Sequence, residues 1–186
     1  MHQLILQTHD KNACPRPRLR MIANAAGGLL PSLAVLLRDT FGASVLPSYG
    51  MTECMPISSP PHSYDLTKPG TSGVAVGPEI GILNLETMES LPVGVEGPIC
   101  VRGEPCFRGY GTLANDSGAP APPSFLDGGW FNTGDLGYLD KDGYLFISGR
   151  SKEVSEDHML LSFGGLQVCE TSYNHCLLFT GYQPWR

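Results

Sequence analysis

The sequence predicts an α/β chain: a partial βαβ sheet unit over residues 19–57, followed by a small β-barrel-like subdomain over residues 70–153. Three observations predict it. An apolar run, a helical period and a second apolar run succeed one another within about thirty residues, the span of a strand–helix–parallel strand unit. Short β runs set between Gly and Pro turns fill the second half, and the 23 glycines and 16 prolines suit a loop-rich sheet domain better than a helical bundle. Finally, Leu136 to Leu139 and Tyr144 to Ile147 are aromatic and aliphatic runs around Asp140-Lys141-Asp142-Gly143. The Asp-Gly step there supplies the positive φ of a tight hairpin turn.

Residues 1–18 show no clear period and hold the turn-like cluster Asp10-Lys11-Asn12, so they read as a poorly specified leader. Leu19 to Ala23 reads as a short buried strand, and it ends in Asn24-Ala25-Ala26-Gly27-Gly28, residues small enough to let another group approach the backbone. Pro31 suits the first turn of a helix. Leu33, Leu36, Leu37 and Phe41 then recur at helical spacing up to Gly42, placed as a C-terminal cap. Val45-Leu46-Pro47 is the second strand. If the two strands run parallel, the loops at Ala25 to Gly28 and at Tyr49 to Glu53 leave the same sheet edge, where ligands bind in open α/β sheets.

Tyr49-Gly50-Met51-Thr52-Glu53 offers an aromatic face for a base, a glycine for close approach, a hydroxyl for phosphate and a carboxylate for Mg²⁺. Taken alone, the pentapeptide also reads as a polar turn whose tyrosine caps the core. From Ser58 the chain becomes a loop, Ser58-Ser59-Pro60-Pro61-His62. Gly70-Thr71-Ser72-Gly73 is no phosphate loop, because neither a helix start nor a following lysine stands behind it. Glu79 to Leu85 and Pro98 to Arg102 are further β runs, and Asn115 to Ser124 reads as a linker loop. At the open end of the 136–147 hairpin, Thr133-Gly134-Asp135 places a carboxylate and Gly149-Arg150 a guanidinium. Side by side, these two either pair with each other or converge on a ligand.

Composition narrows the function classes. At 186 residues and 41% hydrophobic content the chain can bury a core. A net charge of -6 argues against a general nucleic-acid or anionic-membrane surface. Six cysteines without a C-x-x-C pair read as reduced thiols, and the five histidines lie outside every motif, so neither a metal cluster nor a histidine base is expected. No signal-like start and no run long enough for a membrane span are visible, so an intracellular, cytoplasmic chain is expected.

The order Y-G-M-T-E, W-F-N-T-G-D, D-G-Y and G-R-S-K-E, with A-A-G-G-L-L-P upstream, resembles the adenylate-forming (AMP-binding) enzymes. These include acyl- and aryl-CoA ligases, luciferases and peptide-synthetase adenylation domains. The resemblance implies part of that family's large domain and a two-step reaction. A carboxylate attacks the α-phosphate of ATP to give an acyl-adenylate and pyrophosphate, and then a thiol, of CoA or a carrier, displaces AMP.

It also implies roles. Gly27 and Gly28 lie against the adenine and acyl groups, Tyr49 stacks on adenine beside Gly50, and Thr52 contacts the α-phosphate. Glu53 holds Mg²⁺, Asp135 accepts the ribose hydroxyls, Arg150 reaches ribose or phosphate, and Lys152 is the hinge of a lid. The implied partners are ATP or AMP, Mg²⁺, a small carboxylic acid and CoA or a carrier thiol. The resemblance covers Leu19 to Glu153, without the family's phosphate loop, and it leaves residues 154–186 as an unassigned tail with no lid domain. Such a chain is expected to be inactive alone and to self-associate through exposed sheet edges. A non-catalytic nucleotide-binding or interaction fragment, or a truncated gene product without independent function, is the alternative.

Overall fold

In the computed structural model the described residues are 1–10, 18–25, 27–110 and 125–151. Helix α1 (His2–Thr8) occupies a stretch where the sequence reading assigned no element. Seven residues are too few to show a period, and a helix this short draws its stability from tertiary contacts. Leu6 packs on the first core cluster, His9 lies 5.0 Å from the Phe41 ring, and the His2 ring nitrogen Nε2 is 2.9 Å from Asn24 Oδ1.

Strand β1 (Met21–Asn24), helix α2 (Pro31–Phe41) and strand β2 (Ser44–Pro47) form the expected βαβ unit. The strands pair in parallel from Met21 opposite Ser44 to Asn24 opposite Pro47. Pro31 opens α2, where its missing N–H costs nothing, and Gly42 closes it at φ +64° with its N–H donated to Arg38 O at 2.7 Å. The buried stripe of α2 is Ala34, Leu37 and Phe41, while Leu36 is exposed and Leu33 only partly buried. The stripe therefore runs one residue off the leucine pattern, because a small alanine lets α2 sit close to β2.

The rest of the described chain is one antiparallel sheet. It comprises β3 (Tyr49–Met51), β4 (Cys54–Ser59), β5 (Thr71–Ala75), β6 (Glu79–Ile82), β7 (Gly97–Arg102), β8 (Phe131–Leu139) and β9 (Leu145–Arg150). The strand order is β3-β4-β5-β9-β8-β7-β6. Among the described residues the expected β-rich subdomain is an unclosed sheet, with β3 and β6 at its two ends. Register shifts near residues 49–51, 71–73, 98–100 and 136–137 bend it. The end strands are only three and four residues long.

Two clusters of buried residues pack on this sheet, one of Cys54, Ile57, Val101 and Phe131, the other of Ile82, Ile99 and Leu145. Gly73, at φ +95°, is obligatory: a Cβ there would stand 2.0 Å from the Ser59 carbonyl carbon, where β5 crosses β4. The G-T-S-G run is thus a strand built for close backbone approach. The β8–β9 turn has the predicted form, with Gly143 at φ +79° and Asp140 Oδ1 accepting the N–H groups of Asp142 and Tyr144 at 2.9 Å. Lys68 fastens this turn by pairing with Asp140 and, at 2.6 Å, with Asp142.

Candidate functional site

Burial alternates along β8 so that Phe131, Thr133, Asp135 and Gly137 face inward. The alternation drives a carboxylate toward the core, and local bonds hold it there. Thr133 Oγ1 donates to Ile99 O at 2.9 Å and accepts the Asp135 N–H at 3.2 Å, while Asn132 Oδ1 accepts the Gly134 N–H at 2.9 Å. Gly134 sits at φ +77°, so the turn needs its glycine.

Asp135 stands opposite Arg150 in the β8–β9 register, as the hairpin predicted. Arg150 Nε lies 3.2 Å from Asp135 Oδ1, with the arginine side chain 69% exposed and the aspartate side chain 10% exposed. From β3, Tyr49 donates its hydroxyl to the other oxygen, Asp135 Oδ2, at 2.5 Å. Burial first, and then the hydrogen bond to the Asp135 carboxylate, raise the Tyr49 pKa above the ordinary phenol value. The phenol stays a proton donor, and its ring is held against the two core clusters.

The second acidic residue belongs to a different corner. Met51 pairs with Cys54, so Thr52 and Glu53 form the two-residue turn of the β3–β4 hairpin. The sequence reading took Tyr49 to Glu53 as one loop; Tyr49 and Met51 pack into the core and make the first three residues a strand. Thr52 is exposed, and Glu53 is half-buried. Glu53 O accepts the Phe107 N–H at 2.7 Å, and Glu53 Oε1 accepts the Tyr110 hydroxyl at 2.8 Å. What approaches Gly50 closely is the protein itself: a Cβ there would meet Cys54 O and Met55 Cγ at 3.4 Å.

Gly27 and Gly28 are exposed at the end of β1, and a Cβ on Gly27 would meet nothing within 4 Å. Asn24 organises this end. Its Nδ2 donates to Gly27 O at 2.8 Å, and its own carbonyl accepts the Ser48 N–H at 2.8 Å, which ties the glycine loop to the start of β3.

The structure therefore joins Tyr49, Asp135 and Arg150 by direct contact. Gly27 and Gly28 follow β1 in the separate two-stranded sheet and are tied to the start of β3 only through Asn24, and Thr52 and Glu53 lie one short strand away, roughly 10 Å along β3. Lys152, like the linker at 115–124 and the segment 154–186, lies outside the described residues. Sequence reasoning missed Asn24, Thr133 and the Glu53 partner Tyr110. Thr133 carried a signal, since a threonine two residues before a backbone N–H favours this turn; Tyr110 carried none. An apolar cleft between α2 and the 64–71 segment, lined by Leu29, Val35, Tyr64 and Leu66, contains none of the predicted residues. Among the described residues no group of three or more His, Cys, Asp or Glu could hold a metal ion.

The family model described as "AMP-binding enzyme" matches residues 1–111. The chain belongs to the AMP-binding enzyme family. That match begins at residue 1, so it includes the 1–18 segment read above as a leader. The protein named "Probable CoA ligase CCL9" from Humulus lupulus is 36% identical over 181 residues, 96% of this chain and 32% of that protein. The oxalate–CoA ligase of Arabidopsis thaliana is 36% identical over 183 residues, 96% of this chain and 33% of that enzyme. The chain thus spans about a third of the length of these relatives, at 32% and 33%.

Among solved structures, the o-succinylbenzoate CoA synthetase of Bacillus subtilis in complex with ATP and magnesium ion superposes with a TM-score of 0.65. Its identity is 30%, and the match covers 81% of this chain and 30% of that one. The mixed α/β architecture is that of the large domain of these enzymes. One expectation changes. The 4% of the chain left out of the matches to the two plant AMP-binding relatives is far shorter than residues 154–186, so the resemblance continues past Glu153.

Proposed function

We propose that this chain supplies the adenine, ribose and Mg-ATP contacts of an ATP-dependent acid–CoA ligase, for the step that forms the acyl-adenylate. The observation that carries the reading is the convergence of Tyr49 and Arg150 on the two oxygens of Asp135. Each carboxylate oxygen has a second lone-pair site left after its protein bond, so Asp135 can still accept two ribose hydroxyls. Arg150, mostly exposed, can turn toward phosphate, with the Tyr49 hydroxyl and the ribose hydroxyls left as partners of the buried Asp135 carboxylate. The Tyr49 hydroxyl bond fixes the direction of its ring axis, and packing on the two core clusters limits rotation of the ring face proposed to stack on adenine.

Gly27 leaves open space at the end of β1, since a Cβ there would meet nothing within 4 Å. Thr52 offers an exposed hydroxyl to the α-phosphate. Glu53 suits Mg²⁺, which takes one or two carboxylates and completes its shell with phosphate and water oxygens, and only Oε1 is engaged by Tyr110. When bound, the ion neutralises phosphate charge. The family and relatives named as CoA ligases support an acid and an acceptor thiol as the other reactants, and Lys152 is proposed as the hinge between the two steps.

Calorimetric titration of the purified chain with AMP and with Mg-ATP tests the reading. Asp135→Ala is expected to weaken AMP binding by about 1.5–3 kcal/mol, the worth of hydrogen bonds to a charged group. Arg150→Ala, a change at an exposed side chain, should weaken Mg-ATP binding while the fold is retained. Equal affinities in wild type and both variants overturn the assignment.

A further inference from the structure

We propose that Cys54 and Cys106 are a reversible thiol–disulfide pair that fastens the Glu53 turn to the 103–110 segment. Both are free thiols, 52 residues apart in sequence, and their sulfur atoms lie 3.0 Å apart. Their backbones form an isolated antiparallel bridge. The Phe107 N–H bond to Glu53 O flanks that bridge, which makes Cys54 and Cys106 a non-hydrogen-bonded pair. In such a pair the Cα atoms stand about 4.5 Å apart with the side chains at their closest, inside the range a disulfide spans. No backbone movement is needed to join them.

Accessibility sets the order of events. Cys106 is half-buried and reachable, whereas Cys54 is 1% exposed. With a hydroperoxide as oxidant, the Cys106 thiolate attacks the O–O bond, forms an S–O bond and releases hydroxide, or an alkoxide from an organic peroxide. The Cys54 sulfur then attacks the Cys106 sulfenic acid, the S–S bond forms and water leaves. Two thiols lose two protons and two electrons, and the peroxide takes up both. A low-molecular-weight dithiol reverses the step by exchange.

The bond would sit directly beside the Phe107 N–H contact to Glu53, on the segment that also carries the Tyr110 hydroxyl contact. Its formation stands independently of the proposed nucleotide role; any effect on Mg-ATP binding rests on that reading.

The test oxidises the full chain with hydrogen peroxide, blocks remaining thiols and maps peptides by mass spectrometry. The expected result is one dominant crosslink joining the Cys54 and Cys106 peptides, lighter by two hydrogens and abolished by a dithiol. It should be lost in Cys106→Ser and in Cys54→Ala, and kept in Cys100→Ser. Because Cys54→Ala removes a buried side chain, Cys106→Ser is the deciding variant. Amide exchange of Phe107 should slow about tenfold in the oxidised form. A mixture of crosslinks among the six cysteines, or Cys106 carried to sulfinic acid beside a free Cys54, overturns the proposal. If the crosslink forms and Mg-ATP affinity does not change, the thiol pair stands and the Glu53 role falls.

Discussion

Asp135 and Glu53 are the acidic residues at the two corners of the candidate site. One has a side chain 10% exposed between Tyr49 and Arg150; the other is half-buried at a two-residue turn, where Tyr110 reaches it from a separate segment. The difference teaches how two carboxylates of one candidate site can be held in opposite ways. At the Asp135 corner, a strand alternation forces the group inward, and every donor around it is preset by a register or by the core. At the Glu53 corner the carboxylate stays in contact with solvent, and its partner Tyr110 is itself 59% exposed, so water can replace that bond at little cost.

The largest expected break in this comparison is Asp135→Ala, which should lower stability by about 2–3 kcal/mol in urea unfolding. Most of that comes from the buried Tyr49 hydroxyl left without an acceptor. Arg150 adds little, since its charge is already solvated. A stability loss within about 0.5 kcal/mol would mean that the corner is no more structural than an ordinary surface site.

A double-mutant cycle sharpens the contrast. Tyr49→Phe with Asp135→Asn should couple by about 1.5–3 kcal/mol, while Tyr110→Phe with Glu53→Gln should show no resolvable coupling. Comparable coupling in the two cycles would erase the distinction.

Alkaline pH separates the corners as well. The folded pKa of Tyr49 stands above the phenol value near 10. Above about pH 10 the unfolded chain releases this proton while the folded chain keeps it. The contribution is therefore complete below pH 10 and is lost as pH rises through the folded value. Wild type should lose more stability between pH 9 and about 11.5 than Tyr49→Phe, with the raised thiols of Cys54 and Cys100 common to both. Parallel curves would refute the assignment.

The smallest expected effect is Glu53→Gln, whose stability should remain within about 0.5 kcal/mol of wild type. Its Mg-ATP binding should nevertheless weaken, as read by calorimetry with and without magnesium.

What was legible in the sequence was local. Asp140-Lys141-Asp142-Gly143 between two aromatic and aliphatic runs dictates a hairpin, and the hairpin register alone brings Asp135 opposite Arg150. Pro31 and Gly42 mark the ends of α2 because one lacks an N–H and the other tolerates positive φ. The motif order carried the family, since five short segments in fixed sequence are improbable by chance.

Only the tertiary structure decided the rest. The Tyr49 hydroxyl meets Asp135 across 86 residues, a contact set by how seven strands curve rather than by any periodicity. Helix α1 exists through Leu6 and His2, whose partners lie on α2 and β1. Strand β5 pairs with β9, Thr71 opposite Phe146, so the strand order is set by partners far apart in the chain. In each case the deciding partner is distant along the chain, and a period or a turn residue records only what happens within a few positions of itself.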